Sequence, residues 1–320
     1  TRLGSIKFAI LLTLNKMSRN LIIILTASLC TSIAAQDYKP CLKVDENVNI
    51  QEDAKKICDE IHDGWIVEVG EISTILCHRT FAQRKLIHDA YPGECKNRSL
   101  LEDLKGLKKA TDKFESLMEF LLSYPSKIYA TIIDNIAKDI YDDNELITYL
   151  VCSFNNREKA ELLVEFPTVL KVLTDYGSKF GKEYQSALVD VCWVQRWDVA
   201  NPAVTVQIVD NEVKQLQEKH GDDFIKAVRE FFRKYTDPDL QKILKKYSSK
   251  NDHDLGQKIL DIFPDREKEA YATLARSIEN IHVFIARLLH HFVKEEDLGG
   301  DFHGINCIVA IRTETDMHNI

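Results

Sequence analysis

The sequence predicts an all-α protein in which one helical motif is written four times. Glycine and proline are sparse, with 12 and 7 among 320 residues, which disfavours a β protein rich in tight turns. Apolar residues recur at i, i+3 and i+4, the spacing of one helix face. The stripe that begins at Ile72 returns at Ile147, Val228 and Ile305, which are 75, 81 and 77 residues apart. Unrelated amphipathic helices would share no such offset, so the pattern indicates a repeat architecture.

The N-terminal region is predicted to contain a cleaved secretory signal. Residues 1–16 precede the first methionine and are interpreted as translated upstream sequence. Residues 17–35 have the parts of a secretory signal: Arg19, an apolar run over 21–29, and small residues that suit cleavage after Ala34 or Ala35. A membrane anchor is the alternative, but the apolar run is short for a membrane span. Residues 36–50 are predicted to form an N-terminal tail.

The charge of the chain argues against nucleic acid as a partner. The formal charge is −8, and removal of residues 1–35 takes away four basic residues and no acid, which leaves −12. An acidic body repels nucleic acid. It also repels an anionic membrane unless a cation bridges the two surfaces.

The cysteines permit disulfides but do not identify them. Eight are present, and Cys30 lies in the predicted signal. The remaining seven are odd in number, so at least one thiol stays free or pairs with another chain. Their spacing does not determine the pairing, and none of it is typical of a zinc finger. For those on apolar stripes we expect a buried thiol. The seven are Cys41, Cys58, Cys77, Cys95, Cys152, Cys192 and Cys307.

The copies are assigned in chain order to residues 51–123, 124–197, 198–278 and 279–320. Each complete copy holds a helix pair with a polar break, then a closing helix with an aromatic residue near its start: Phe114, Tyr184 and Tyr271. Thr80 and Thr236 are predicted N-caps of the second helix of their pairs. The fourth copy stops after its first helices, so we expect its apolar stripe to lack partners.

The first copy resembles the annexin repeat. The likeness rests on residues 79–84 with Ile87 and Tyr91 beyond them, and on residues 100–105 followed by 114–117. Residues 308–317 are similar to the fourth annexin repeat. The resemblance covers about 45–320 and implies a curved, all-helical disc of four repeats with five helices each, the last incomplete here.

The resemblance implies calcium as a cofactor and anionic phospholipid as a partner. In that family the convex face holds calcium between its loops and lipid headgroups. Calcium takes about six to eight oxygens, from carboxylates and loop carbonyls, and a lipid phosphate can complete the shell. The family's loop is Gly-x-Gly-Thr-like, and a carboxylate from a later helix of the same copy completes the site.

The first two copies depart from this loop pattern. The first keeps one glycine, Gly64, followed by Trp65. The resemblance places this loop on the membrane-facing side, where tryptophan is favoured, although a tryptophan packed under the loop is the alternative. The second copy reads Lys-Asp-Ile-Tyr-Asp-Asp over 138–143 and has no glycine.

The third and fourth copies carry the candidate metal ligands. In the third, Asp261 follows Gly221 by 40 residues and is the candidate distal carboxylate. In the fourth, the distal carboxylate would lie beyond Ile320. The alternative for each loop is a set of solvated acids and helix caps. The candidate ligands are Gly221, Asp222 and Asp261, and then Gly299, Gly300 and Asp301.

Two functions follow from the sequence. The first is a secreted annexin-like protein, peripheral on membranes, that binds anionic phospholipid through calcium. The second is a secreted interaction protein that keeps the scaffold, has degenerate calcium sites and binds a host or matrix protein. No spacing of serine, cysteine and histidine indicates a nucleophilic site, and no glycine-rich phosphate loop occurs, so no enzyme is predicted.

Overall fold

The computed structural model describes residues 47–62, 69–107, 111–140, 144–197, 199–296 and 302–314, with residues 42, 317 and 320. Helices, turns and coil make up these ranges, and no strand occurs in them. The all-α prediction is therefore confirmed. The predicted upstream segment and signal sequence lie outside the described residues.

Three sets of five helices follow one another, and a pair follows them. The first set is α1 (Ile50–His62), α2 (Val69–Cys77), α3 (Phe81–Glu94), α4 (Leu100–Lys105) and α5 (Asp112–Leu121). The second is α6 (Pro125–Ala137), α7 (Asn144–Ser153), α8 (Asn156–Glu165), α9 (Val169–Ser178) and α10 (Lys182–Ser186), which continues as a π-helical turn over Ala187–Cys192. The third is α11 (Val206–Glu218), α12 (Gly221–Lys234), α13 (Asp237–Lys250), α14 (Leu255–Ile262) and α15 (Glu267–Glu279). The pair is α16 (Ile281–Glu296) and α17 (Phe302–Arg312).

The helices form two compact units. The first holds the described residues up to Ile128 and those from Leu288 onward, and the second holds Tyr129–Arg287. No helix among the described residues combines the length and the apolar character that a membrane span requires.

The repeat positions read from the sequence form the core of each unit. Ile72 and Leu76 are fully buried in the first unit, and Ile147 and Val151 in the second. Removal of one such side chain from water stabilises the fold by about 1.5–3 kcal/mol. The apolar spacing of i, i+3 and i+4 therefore predicted correctly which faces of these helices pack in the core.

A buried arginine of α3 binds the turn that follows α17 within the first unit. The side chain of Arg84 is 2% exposed and donates to the carboxylate of Glu314 at 2.6 Å and to the carbonyl oxygen of Leu121 at 2.6 Å. The same carboxylate accepts from the backbone N–H of Phe81 at 2.5 Å. Glu314 thus neutralises a buried charge and also caps the first turn of α3.

The two predicted N-caps are formed in different ways. Thr80 accepts from the backbone N–H of Gln83 at 3.3 Å, and the side chain of Gln83 accepts from the backbone N–H of Thr80, which completes a capping box. Thr236 occupies the N-cap position of α13, but its hydroxyl donates to Asp239 at 2.7 Å instead of accepting from the backbone.

Two disulfides occur among the described residues. Cys58 is bonded to Cys95, and Cys152 to Cys192, at separations of 37 and 40 residues. The expectation of buried thiols on the apolar stripes was therefore wrong for these four residues. The reason is geometric, because helix packing brings each pair of Cα atoms within 5.6 and 4.6 Å. Of the remaining cysteines that the structure describes, Cys77 is an exposed thiol and Cys307 a buried one.

We expect the double variant Cys152→Ser/Cys192→Ser to lose about 2–5 kcal/mol of unfolding free energy, because the open chain regains the entropy that the disulfide removes. Urea denaturation followed by circular dichroism measures the loss. Cys77→Ser, at an exposed free thiol, is the matched control and should keep the wild-type midpoint. Equal midpoints for the double variant and the wild type would contradict the pairing.

Candidate functional site

The loop that joins the first two helices of the third set lies entirely within the described residues. Helix α11 ends at Glu218, and α12 begins at Gly221, whose φ of +50° is in the left-handed region that glycine adopts without strain. Asp222 and Asp223 lie exposed in the first turn of α12. Their carboxylates are favoured there by the positive end of the helix dipole, whether or not a metal is bound.

A lysine ammonium occupies the point at which the carbonyl oxygens of this loop converge. Nζ of Lys258, on α14, donates to the carbonyl oxygens of Leu216 at 2.7 Å, Gln217 at 3.1 Å and Lys219 at 3.1 Å. It also lies over the ring of Phe224, 4.6 Å from the centroid. An ammonium has three N–H donors, so three carbonyl oxygens satisfy it completely.

The environment of this ammonium combines two opposing effects. Burial lowers the pKa of Lys258 below its ordinary value of 10.5, because desolvation disfavours the charged form. Two of the carbonyl oxygens belong to the last turn of α11 and the third to its C-cap residue, Lys219, and the negative end of the helix dipole there favours a cation. The loop therefore has the electrostatics of a cation site, and the chain itself supplies the cation.

The second set repeats this arrangement in a more open form. Nζ of Lys179 lies 3.4 Å from the carbonyl oxygen of Ala137 and 3.2 Å from a carboxylate oxygen of Asp139. Asp139 has a φ of +57° and ends α6 in a Schellman motif, since its N–H donates to Ile136 and the next N–H to Asn135. Lys179 follows Ala137 by 42 residues, as Lys258 follows Leu216.

Neither lysine was predicted to lie at a loop, because the expected ligand from the later helix was a carboxylate. Asp261 lies one turn after Lys258 on α14, is exposed and accepts from the side chain of Gln257 at 3.0 Å. Its role as a metal ligand stays a prediction. The signal available in the sequence was Gly-x-Lys, which ends at Lys179 in one copy and at Lys258 in the next.

The other predicted site residues lie outside the described residues. They are Gly64 and Trp65 of the first copy and Gly299, Gly300 and Asp301 of the fourth. The two further tryptophans are described. Trp193 is buried, whereas Trp197 is 77% exposed.

At the end of α1, beside the first predicted loop, the buried carboxylate of Asp103 holds His62. Nε2 of His62 and Oδ2 of Asp103 are 2.9 Å apart, the hydroxyl of Tyr91 donates to the same oxygen at 2.8 Å, and Nε of Arg98 donates to Oδ1 at 2.9 Å. Burial opposes ionisation of Asp103, but the hydrogen bonds from these three side chains outweigh it and lower its pKa to about 2. The last residue of α1 is therefore fixed by a charged network.

His62 also belongs to the one group of metal-ligand side chains found in the described part of the chain. Its partners are Cys58 and Cys95, with potential ligand atoms all within 4.8 Å of one another. The two sulfurs are joined to each other, so neither offers a thiolate to a metal while the disulfide is intact.

Comparison with known proteins identifies the fold. No family model matches the chain. Annexin D2 of Arabidopsis thaliana is 23% identical over 292 residues, which cover 87% of each chain. Annexin D6 of the same plant is 22% identical over 293 residues, again 87% of each chain.

Solved structures agree with these relatives. Chicken annexin V has a TM-score of 0.69 at 19% identity and covers 88% of each chain. Calcium-bound annexin (Sm)1 has a TM-score of 0.66 at 18% identity, over 89% of this chain and 84% of that one. These likenesses show that the chain has the annexin fold, and together with the curated relatives they confirm the resemblance stated from the sequence.

We expect Asp103 to stabilise the fold above pH 4 by about 2 kcal/mol, because its pKa falls from 3.8 to about 2 on folding. A carboxyl whose pKa is lowered by folding contributes stability above its unfolded pKa. That stability is lost as the pH falls from about 4 through 2. Urea denaturation across this range measures the loss.

The variant Asp103→Asn should be less stable than the wild type at pH 7 and show a flatter dependence between pH 4 and pH 2. Asp59→Asn, at an exposed carboxyl of α1, is the matched control and should follow the wild-type curve. A curve for Asp103→Asn that parallels the wild type would overturn this assignment.

Proposed function

We propose that this chain, which has the annexin fold, is a binding protein that attaches peripherally to anionic phospholipid surfaces with calcium as the bridging ion. One observation carries the proposal beyond the fold. The carbonyl oxygens of Leu216, Gln217 and Lys219 converge on a single cation position in a loop between two helices. The third copy fills this position with Lys258, and we propose that calcium takes the corresponding position in the fourth copy, whose loop keeps two glycines.

The net charge of the chain makes such a cation necessary. At −8, the chain is repelled by an anionic surface unless positive charge lies between them. In the third copy, the ammonium of Lys258 binds carbonyl oxygens of the loop that precedes the predicted ligands Gly221 and Asp222, and the role of these residues and of Asp261 as calcium ligands stays a prediction. We therefore propose Gly299, Gly300 and Asp301 of the fourth copy as the first calcium ligands to test, and Gly64 and Trp65 of the first copy as a membrane-facing loop.

We further propose that the protein is secreted. The support is the signal-like pattern over residues 17–35 and the two disulfides of the described chain, which persist in oxidising compartments and are rare in the cytosol. The acidic charge argues against nucleic acid as a partner.

A second function is favoured by the same lysines. If Lys179 and Lys258 replace calcium and no other loop binds it, the scaffold is left as a secreted interaction protein with a protein partner. The exposed ring of Trp197, with Val199 beside it, offers an apolar contact of the kind found in protein interfaces.

Liposome co-sedimentation tests the proposal. We expect the protein to pellet with vesicles of phosphatidylserine and phosphatidylcholine in calcium and to stay in the supernatant in chelator, because only the bridged complex overcomes repulsion. Vesicles of phosphatidylcholine alone are the control and should not pellet it.

Each of the other outcomes of the liposome experiment would contradict part of the proposal. Equal pelleting in calcium and in chelator would exclude calcium as the bridge. No pelleting in either condition would exclude the membrane proposal and favour the interaction protein. Detection of the protein only inside the cells that make it would contradict secretion.

A further inference from the structure

We infer that a lysine ammonium is the resident cation of the loop in the second and third copies, so that these two loops are closed to calcium. Lys179 and Lys258 are the lysines concerned. This inference deepens the proposed function, since it concerns the same kind of loop, but it does not depend on membrane binding. In these copies the cation at the loop is then a side chain of the protein and not an ion bound from solution.

The third copy shows the fullest coordination. Each N–H of the Lys258 ammonium has a carbonyl acceptor, between 2.7 and 3.1 Å away, and the ring of Phe224 covers a further side. Phe224 is fully buried, so its ring is held in place by the core. A calcium ion at this point would have to displace the ammonium, and two positive centres cannot share one set of carbonyl oxygens.

A glycine lies two residues before each lysine, at Gly177 and Gly256. A Cβ on Gly177 would lie 2.9 Å from Cα of Gln185, so this backbone contact requires a glycine. A Cβ on Gly256 would lie 2.8 Å from Nε of Arg276, which belongs to a flexible side chain that can move. In both copies the lysine two positions later contacts the loop.

The second copy supports the same assignment with different ligands. Lys179 contacts one carbonyl oxygen, of Ala137, and the carboxylate of Asp139. Among the acids of this loop, Asp139 is the one that the structure describes, and it would otherwise be a candidate for a metal. Its charge is neutralised by the lysine in an exposed ion pair, and salt screens such a pair readily. We therefore place the stronger test in the third copy.

Replacement of Lys258 by glutamate should allow a calcium ion to bind at the loop of the third copy. A glutamate oxygen reaches about one bond less far than a lysine nitrogen, and a calcium–oxygen bond of about 2.4 Å makes up the difference. The ion would then lie within about 1 Å of the present ammonium nitrogen, with the three carbonyl oxygens and the new carboxylate as ligands. Water or a headgroup oxygen would complete the shell.

The experiment compares calcium binding by the wild type, Lys258→Glu and Lys245→Glu. Lys245 is exposed on α13 and provides the same change of charge away from the loop. Isothermal titration calorimetry with calcium chloride gives the number of ions bound per chain. We expect Lys258→Glu to bind one ion more than the wild type and than Lys245→Glu. Its Tm should also rise by about 5–10 °C at calcium near 100 Kd, beyond any rise in the wild type.

Two further variants test the inference if Lys258→Glu does not fold. Lys258→Met should have a lower Tm than the wild type, because three carbonyl oxygens lose their partner, and should gain no calcium ion. Asp261→Asn should bind as many ions as the wild type, because the loop of the third copy holds none. A loss of one ion in Asp261→Asn would overturn the inference, as would an unchanged number in folded Lys258→Glu.

These outcomes are separate from the liposome result. A wild type that never pellets with vesicles still supports the inference if Lys258→Glu gains an ion. A wild type that pellets in calcium contradicts the inference if Asp261→Asn loses one ion in the calorimeter.

Discussion

The carbonyl oxygens at the end of a helix have no partner within that helix, and something else must satisfy them. This requirement governs the loops that connect the first two helices of each copy. At the end of α11 the chain meets it with Lys258, and at the end of α6 it combines a Schellman motif with Lys179. A cation at such a helix end satisfies carbonyl oxygens that would otherwise need water or backbone N–H groups, so the identity of that cation affects what the loop can bind.

Several acidic residues of the described chain, in contrast, are paired with arginines. Asp254 accepts from Arg276 and from Arg287, and Glu267 accepts two hydrogen bonds from Arg229. Each of these carboxylates is almost buried, so the pairing is needed to offset its desolvation. A high content of Asp and Glu therefore does not by itself indicate a metal-binding protein, and the annexin fold is compatible with loops that hold no calcium.

The fold could be predicted because apolar residues recur at the same spacing in each copy, and these residues pack in the core. Ile72 and Ile147 could be assigned to the core from their common offset alone, and both are fully buried. The partners of Cys58 and Cys152 could not be predicted, since they depend on how helices distant in sequence are placed. Lys258 could not be assigned for a similar reason, because its contacts with three carbonyl oxygens depend on how α14 is placed beside the end of α11.

The disulfides have a consequence for how the chain is assembled. Each closes a loop of 37 or 40 residues and joins helices of a single copy. Neither cross-link therefore has to wait for a distant part of the chain, and each copy can be oxidised as soon as it has emerged during synthesis. Contacts of such short range favour rapid nucleation, because little chain entropy is lost before they form. The disulfides can therefore form in the order in which the copies are synthesised, from the N-terminus onward.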